Sequence, residues 1–334
     1  MFYKPKAPFK KIISLLLIAT VLFSVAAFSG CAQKEAACAV TLNEVGISND
    51  VFVYFLDEAT VELGTDAKPK DLEENVLSKL STYFKTNSLA QAHNIVLSIG
   101  EKSEISEKVN GYWSMFGGYY SSIGVSKETL TKVFTAEAYR DKLMLSYYGE
   151  GGTEEIPLSR LYAYFKSNYV LFQSVTGYFT QTDEAGLTVK LPDNEIEALV
   201  LKFQGMADVV NSGEKTLEET AEFLAEDGLQ SNVQTVVLHK DDTSYPAGFF
   251  NKIKEIDTRY AAVIGTSEYI FLVIRAEADA NSTFFKDKKT EIIKLLAGDG
   301  IDPIIEGAYT VEGDVDSTLF NDYLQVIKTI KGDK

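Results

Sequence analysis

Few side chains in this sequence could carry chemistry, and Ser174 is the first to weigh. It stands in YVLFQSVTGYF, Tyr169 to Phe179. On a strand successive side chains point to opposite faces. Val170, Phe172, Ser174 and Thr176 would share one face; Leu171, Gln173 and Val175 would share the other. A nucleophilic serine needs a base within hydrogen-bond reach and a sharp turn that exposes its oxygen. The chain has two histidines, His93 and His239, both far from Ser174 in sequence. Neither lies in a catalytic pattern, so both read as bystanders. CxxC, HExxH, P-loop and GxGxxG motifs are all missing, and GEGG and GDG read as loops. The many Asp and Glu residues lack metal-ligand spacing and read as a solvated surface. No cofactor, metal or nucleotide is expected.

A second group is aromatic. In YWSMFGGYYSS, Tyr112, Trp113, Phe116, Tyr119 and Tyr120 recur at helical spacing. The face they form reads equally as a core stripe or as an adaptable surface for apolar polypeptide. The pair Gly117-Gly118 costs the helix about 2 kcal/mol relative to alanines and favours the adaptable surface.

The elements that must position these groups follow from periodicity. The segment from Ser48 opens a helix with Val51, Phe55 and Ala59 at four-residue spacing. A long amphipathic helix follows, with Leu72, Val76, Leu80 and Phe84 as its buried stripe and Gly100 closing it. The aromatic segment, a helix opening on Ser126 and IPLSRLYAYFKSNY complete an all-helical region over residues 41–168. The pattern then changes to strand, polar turn (TQTDEAGLTVKLPD), helix capped by Asp193, helix with a Thr216–Glu219 capping box, strand, short helix and two strands. That order describes a small α+β domain over residues 169–280. Residues 281–334 add helices expected to pack back on the helical region, the last capped by Asp316 or Ser317.

Composition narrows the setting. The 334-residue chain is long enough for about two domains. Its formal net charge of −16 repels nucleic acid and anionic headgroups. Residues 1–30 join a head of Lys4, Lys6, Lys10 and Lys11 to an apolar run from Ile12 to Phe28, the layout of a secretory signal. FSGC before and at Cys31 resembles a bacterial lipobox, which implies cleavage before Cys31 and its acylation. Residues 31–40 would then be a tether. With Cys31 lipidated, Cys38 has no partner for an intrachain disulfide. An uncleaved single-span anchor is the alternative; either way the body lies outside the cytoplasm.

In order, several segments resemble the parvulin-type foldases, the SurA and PrsA group of extracytoplasmic chaperones. They are LNEVGISNDVFVYFLDEA, GVSKETLTKVFTAEAYRDKL, GEKTLEETAEFLAEDG, YAAVIGTSEYIFLVIRAEA and FFKDKKTEIIKLL. The resemblance covers most of residues 40–320. It implies an α+β fold: a mostly helical SurA-N-like chaperone domain that holds unfolded or secreted polypeptides, plus a small parvulin-like α+β domain that rotates prolyl bonds. It further implies two histidines behind an apolar proline pocket. Those positions fall on Ser174 and Tyr269, and of the pocket only the aromatic Phe249 or Phe250 is kept. On this reading the isomerase chemistry is absent. Trp113, Phe116, Tyr119 and Tyr120 are the candidate client-binding residues. The rival readings are an active prolyl isomerase and a solute-binding lipoprotein of a transporter.

Overall fold

The computed structural model describes residues 37–226 and 232–332. The lipobox-like segment and Cys31 lie outside the described residues. The chain divides into two compact units: the residues up to Glu155 with those from Leu296, and Ile156–Leu295. The fold is α+β in class.

The first unit opens with a hairpin of β1 (Val40–Leu42) and β2 (Val45–Ile47). Its two turn residues, Asn43 and Glu44, both adopt positive φ, 49° and 67°, the twist that two-residue hairpins favour. β9 (Gly313–Val315) pairs antiparallel with the far side of β1. Asn43 secures that pairing: its side-chain amide donates to the Thr310 carbonyl (3.1 Å) and its amide oxygen accepts from Glu312 N–H (2.8 Å). Short strands therefore enter the region that periodicity reads as all-helical; β2 falls in LNEVGIS, which the family resemblance reads as a short strand before a helix.

Four helices follow: α1 (Asn49–Leu63), α2 (Pro69–Ala92), α3 (Ile99–Ser122) and α4 (Lys127–Tyr148). Phe52, Leu56, Leu72, Leu80 and Leu130 build the core. The helix expected to run to Gly100 ends instead at Ala92. Asn94 takes φ 53°, a conformation that stops helices and that asparagine tolerates. Ser98 then starts α3 with a capping box, Ser98 N–H donating to the Glu101 carboxylate (2.7 Å) and Glu101 N–H to Ser98 Oγ (3.2 Å). α10 (Ile301–Ala308) packs through Ile301 and Ile305 on Leu89, Leu143 and Met144. α11 (Ser317–Lys331), capped by Asp316, sets Phe320 and Tyr323 against Phe52, ring centroids 6.0 and 5.8 Å apart.

The α3 cap makes an acid-sensitive point. Burial raises the Glu101 carboxyl, but the Lys142 ammonium 2.9 Å away and the bonds from Ser98 outweigh it and hold it at about 2. A carboxyl lowered on folding stabilises the fold above its ordinary value near 4.5, and that contribution fades as pH falls from there toward 2. Melts of wild type and Glu101→Gln should differ at pH 6 and converge by about pH 2. A constant difference across that window would refute the assignment.

The second unit is a four-stranded antiparallel sheet in the order β6 (Gln234–His239), β3 (Tyr169–Tyr178), β8 (Tyr269–Ala276), β7 (Ala261–Gly265). α6 (Asp193–Ser212) and α7 (Leu217–Glu226) cover one face, where Phe203, Met206 and Leu217 meet Val175, Ile270 and Leu272. α8 (Phe249–Glu255) covers part of the other. The polar turn region contains a small hairpin, β4 (Thr180–Thr182) with β5 (Thr188–Lys190), tied by the Asp183 carboxylate accepting from Ala185 and Leu187 N–H. The cap of α6 is Pro192 rather than Asp193.

Two helices change allegiance from the sequence reading. α5 (Leu158–Asn168) and most of α9 (Thr283–Ala297) belong to the sheet unit. Phe285 of α9 meets Tyr162 and Phe165 of α5, each at 5.4 Å, and Phe165 stacks on Tyr169 at 5.2 Å. This aromatic joint fixes both helices to the start of β3.

Candidate functional site: an aromatic helix face and a ring-lined sheet

α3 buries only a narrow seam, Ile105, Val109 and Gly117. The residues around that seam divide in two. Trp113, Tyr119 and Tyr120 are half-buried and pack on the core. Tyr112, Met115 and Phe116 remain outside, 38%, 65% and 47% exposed. Of the four candidate client-binding residues, therefore, Phe116 is exposed and three form the layer beneath. Gly117 has a reason other than looseness. A Cβ there would come within 2.9 Å of the Trp113 indole, so glycine lets that ring lie flat along its own helix. Tyr112 lies edge-on to Phe134 at 5.1 Å, and Lys108 sits 4.1 Å above the same ring.

A polar anchor holds the lower layer. The Tyr119 hydroxyl donates to the Asp57 carboxylate. Lys331 of α11 pairs with the same oxygen at 2.8 Å and donates to Thr60 Oγ1 at 2.7 Å. Burial, then the bond to Asp57, pushes the Tyr119 phenol far above its ordinary value, so it stays a donor. Tyr120 stacks on Tyr54, rings 6.2 Å apart. Burial raises the Glu58 carboxyl, which accepts from the Tyr54 hydroxyl at 2.9 Å. Sequence periodicity found the rings but not this anchor, whose members lie in three separate helices.

In the sheet unit, register decides what Ser174 and Tyr269 can do together. Ser174 pairs with Val273, whereas Tyr269 pairs with Tyr178, four residues further along β3. They share a face but lie about 13 Å apart along the strand, too far for one bond to join them. Ser174 is 2% exposed, flanked by Gln234 on β6 and Val273 on β8. Tyr269 is half-buried, its ring 5.6 Å from that of Tyr178. The two residues that the resemblance sets at histidine positions therefore do not form one site. Phe249 is buried in the cluster of Phe172, Phe271 and Ile253, and Phe250 is half-buried beneath the Lys254 ammonium.

The chain is similar to three solved foldase structures. The foldase protein PrsA from Streptococcus pneumoniae is 12% identical over 81% of this chain and 88% of that chain, with a TM-score of 0.38. PrsA from Lactococcus lactis is 12% identical over 86% and 99%, TM-score 0.38. PrsA from Bacillus subtilis is 14% identical over 90% and 94%, TM-score 0.29. No protein-family model matches the chain, and no curated protein matches it.

His239 ends β6 against Tyr169 (4.8 Å) and Tyr164, whose hydroxyl lies 3.4 Å from Nε2. Asp241 N–H donates to its Nδ1 at 3.3 Å. It is thus a packing residue remote from Ser174. His93 caps the end of α2 beside Tyr147. Among the described residues, no group of three or more His, Cys, Asp or Glu is arranged to hold a metal, and no helix is long and apolar enough to cross a membrane. Sequence reading missed Tyr245, whose ring lies within the sheet's aromatic cluster. The signal available was an aromatic directly before Pro246, since proline holds its predecessor extended.

Proposed function

We propose that this chain is an extracytoplasmic chaperone of the foldase type, anchored through lipid on Cys31, that holds unfolded secreted polypeptides on the outer face of α3. The observation that carries this reading is the exposed trio Tyr112, Met115 and Phe116, seated on a rigid aromatic layer. The order of foldase-like segments in the sequence supports it. Methionine and aromatic side chains adapt to many apolar partners. Completing the burial of three half-exposed side chains yields about 3 kcal/mol, less than association costs. One such contact is therefore weak, and a long client gains by touching it repeatedly. Holding of this kind needs no nucleotide. The sheet unit is parvulin-like and catalytically silent in this reading, because Ser174 and Tyr269, the residues that the resemblance sets at histidine positions, are not histidines and lie about 13 Å apart along the strand.

Replacing Tyr112, Met115 and Phe116 together by Ser should reduce suppression of a denatured reporter's aggregation at least about fivefold, with unchanged circular dichroism. Undiminished suppression by the folded variant would sink the assignment. The chain should not accelerate cis-trans exchange in a prolyl tetrapeptide; a rate above background would instead make it an isomerase.

A further inference from the structure

Sulfur is scarce in this chain, and one atom of it stands in the open. The chain has four methionines. Met144 and Met206 are buried, and Met1 lies outside the described residues. Met115 is 65% exposed on the outer face of α3. A helical side chain leans over the turn that precedes it. For Met115 that turn holds Gly111, and the turn that follows holds Gly118. A Cβ at either glycine would meet no atom within 4 Å. The space on both sides of the thioether along the helix is therefore open. Gly117 makes room for the Trp113 ring; Gly111 and Gly118 make room for nothing inside the protein, and their effect is to bare Met115. Cys38 is half-buried, its Sγ within 2.7 Å of where a Cβ on Gly46 would lie. Among the described residues, Met115 is thus the sulfur that a small oxidant in solution meets first.

Its position makes that exposure consequential. Met115 shares the outer face of α3 with Tyr112 and Phe116, whose rings lie 6.2 Å apart. It is the flexible member of the trio, the side chain that fits itself to different apolar partners.

We propose that Met115 is a reversible oxidation site for hydroperoxides, and that its sulfoxide form releases clients from α3. In the forward step a sulfur lone pair takes the terminal oxygen of the hydroperoxide. The S–O bond forms, the O–O bond breaks, the thioether loses two electrons and the peroxide leaves as water or an alcohol. A thiol-dependent methionine sulfoxide reductase reverses the change, with two thiols becoming a disulfide and the oxygen leaving as water. The sulfoxide dipole is well solvated on the free protein. An apolar client would cover it without offering a donor, and burying an unpaired polar group is unfavourable. Because a long client touches the face repeatedly, a modest loss at each contact multiplies. The inference rests on the α3 reading and adds its control.

The test treats the full chain with dilute hydrogen peroxide and maps the added oxygen by peptide mass. Met115 should be oxidised well before Met144 and Met206. Oxidised wild type, with unchanged circular dichroism, should suppress a denatured reporter's aggregation at least about threefold less well than its own untreated sample. Methionine sulfoxide reductase with a dithiol should restore it. Met115→Leu keeps Cys38, Met144 and Met206, so peroxide should leave its suppression, whatever its starting level, where it was. An oxidised wild type that suppresses as before, a Met115→Leu protein that loses as much as wild type, or a loss that the reductase cannot reverse would each overturn the proposal. Full suppression by oxidised wild type beside lost suppression in the triple Ser variant would strike the oxidation switch alone and leave the α3 reading standing. Full suppression by both would remove the two together.

Discussion

Replacing Lys331 by Met lowers the stability of the helical unit by about 3 kcal/mol. The change strips Asp57, whose side chain is 10% exposed, of its cation and leaves a charge among α1, α3 and α11 with only the Tyr119 hydroxyl against it. Losing one partner of a buried pair costs more than the pair contributes, because the survivor keeps its desolvation penalty. The double change Lys331→Met with Asp57→Leu should therefore recover most of the loss. Trp113 is the chain's one tryptophan and lies in this unit, so its fluorescence follows the relevant transition in urea. A midpoint unmoved by Lys331→Met would show that water already compensates Asp57.

The second large effect falls in the sheet unit. Phe172→Ala should cost about 3–5 kcal/mol, because Phe172 is fully buried and touches both Phe249 and Tyr245. Ser174→Ala, two residues away on the same face, should cost less than about 1 kcal/mol and leave aggregation suppression unaltered. Near-UV circular dichroism of the ring cluster through a urea transition measures both. A Ser174→Ala variant with lost activity would give that hydroxyl a role that its burial argues against.

Much of this architecture was readable from local patterns. The alternation in YVLFQSV assigns Phe172 to one face of β3 and Val175 to the other, and the two residues do lie in separate cores. The helix opening read at Ser126 and the capping box read at Thr216 mark real helix starts. Those signals are local, so a sequence displays them. What was hidden depends on long-range geometry. The offset between Ser174 and Tyr269 is set by turn bonds such as Thr266 N–H to the Tyr269 carbonyl and Phe179 N–H to the Glu268 carbonyl, which leave no trace in residue type. α5 joined the sheet unit because Phe165 found Phe285 on α9. Periodicity likewise placed the α3 rings on one helix face but could not say which ones Asp57 and Tyr54 would pull inward.

The pairing of β1 with β9 carries a consequence for the order of events when the chain is made. The first unit is assembled from two pieces of sequence, and the strand that closes it, Gly313–Val315, comes after the whole of the sheet unit. Contacts between such distant segments form late, because a long loop must close first. At synthesis rates of about 5–20 residues per second, the stretch from residue 156 to residue 315 takes roughly 10–30 s to emerge. The inserted domain has all of its partners well before its host does. During that interval Phe52 awaits Phe320 and Leu143 awaits Ile301, so a protein read here as a guardian of nascent chains passes through the same exposed condition itself.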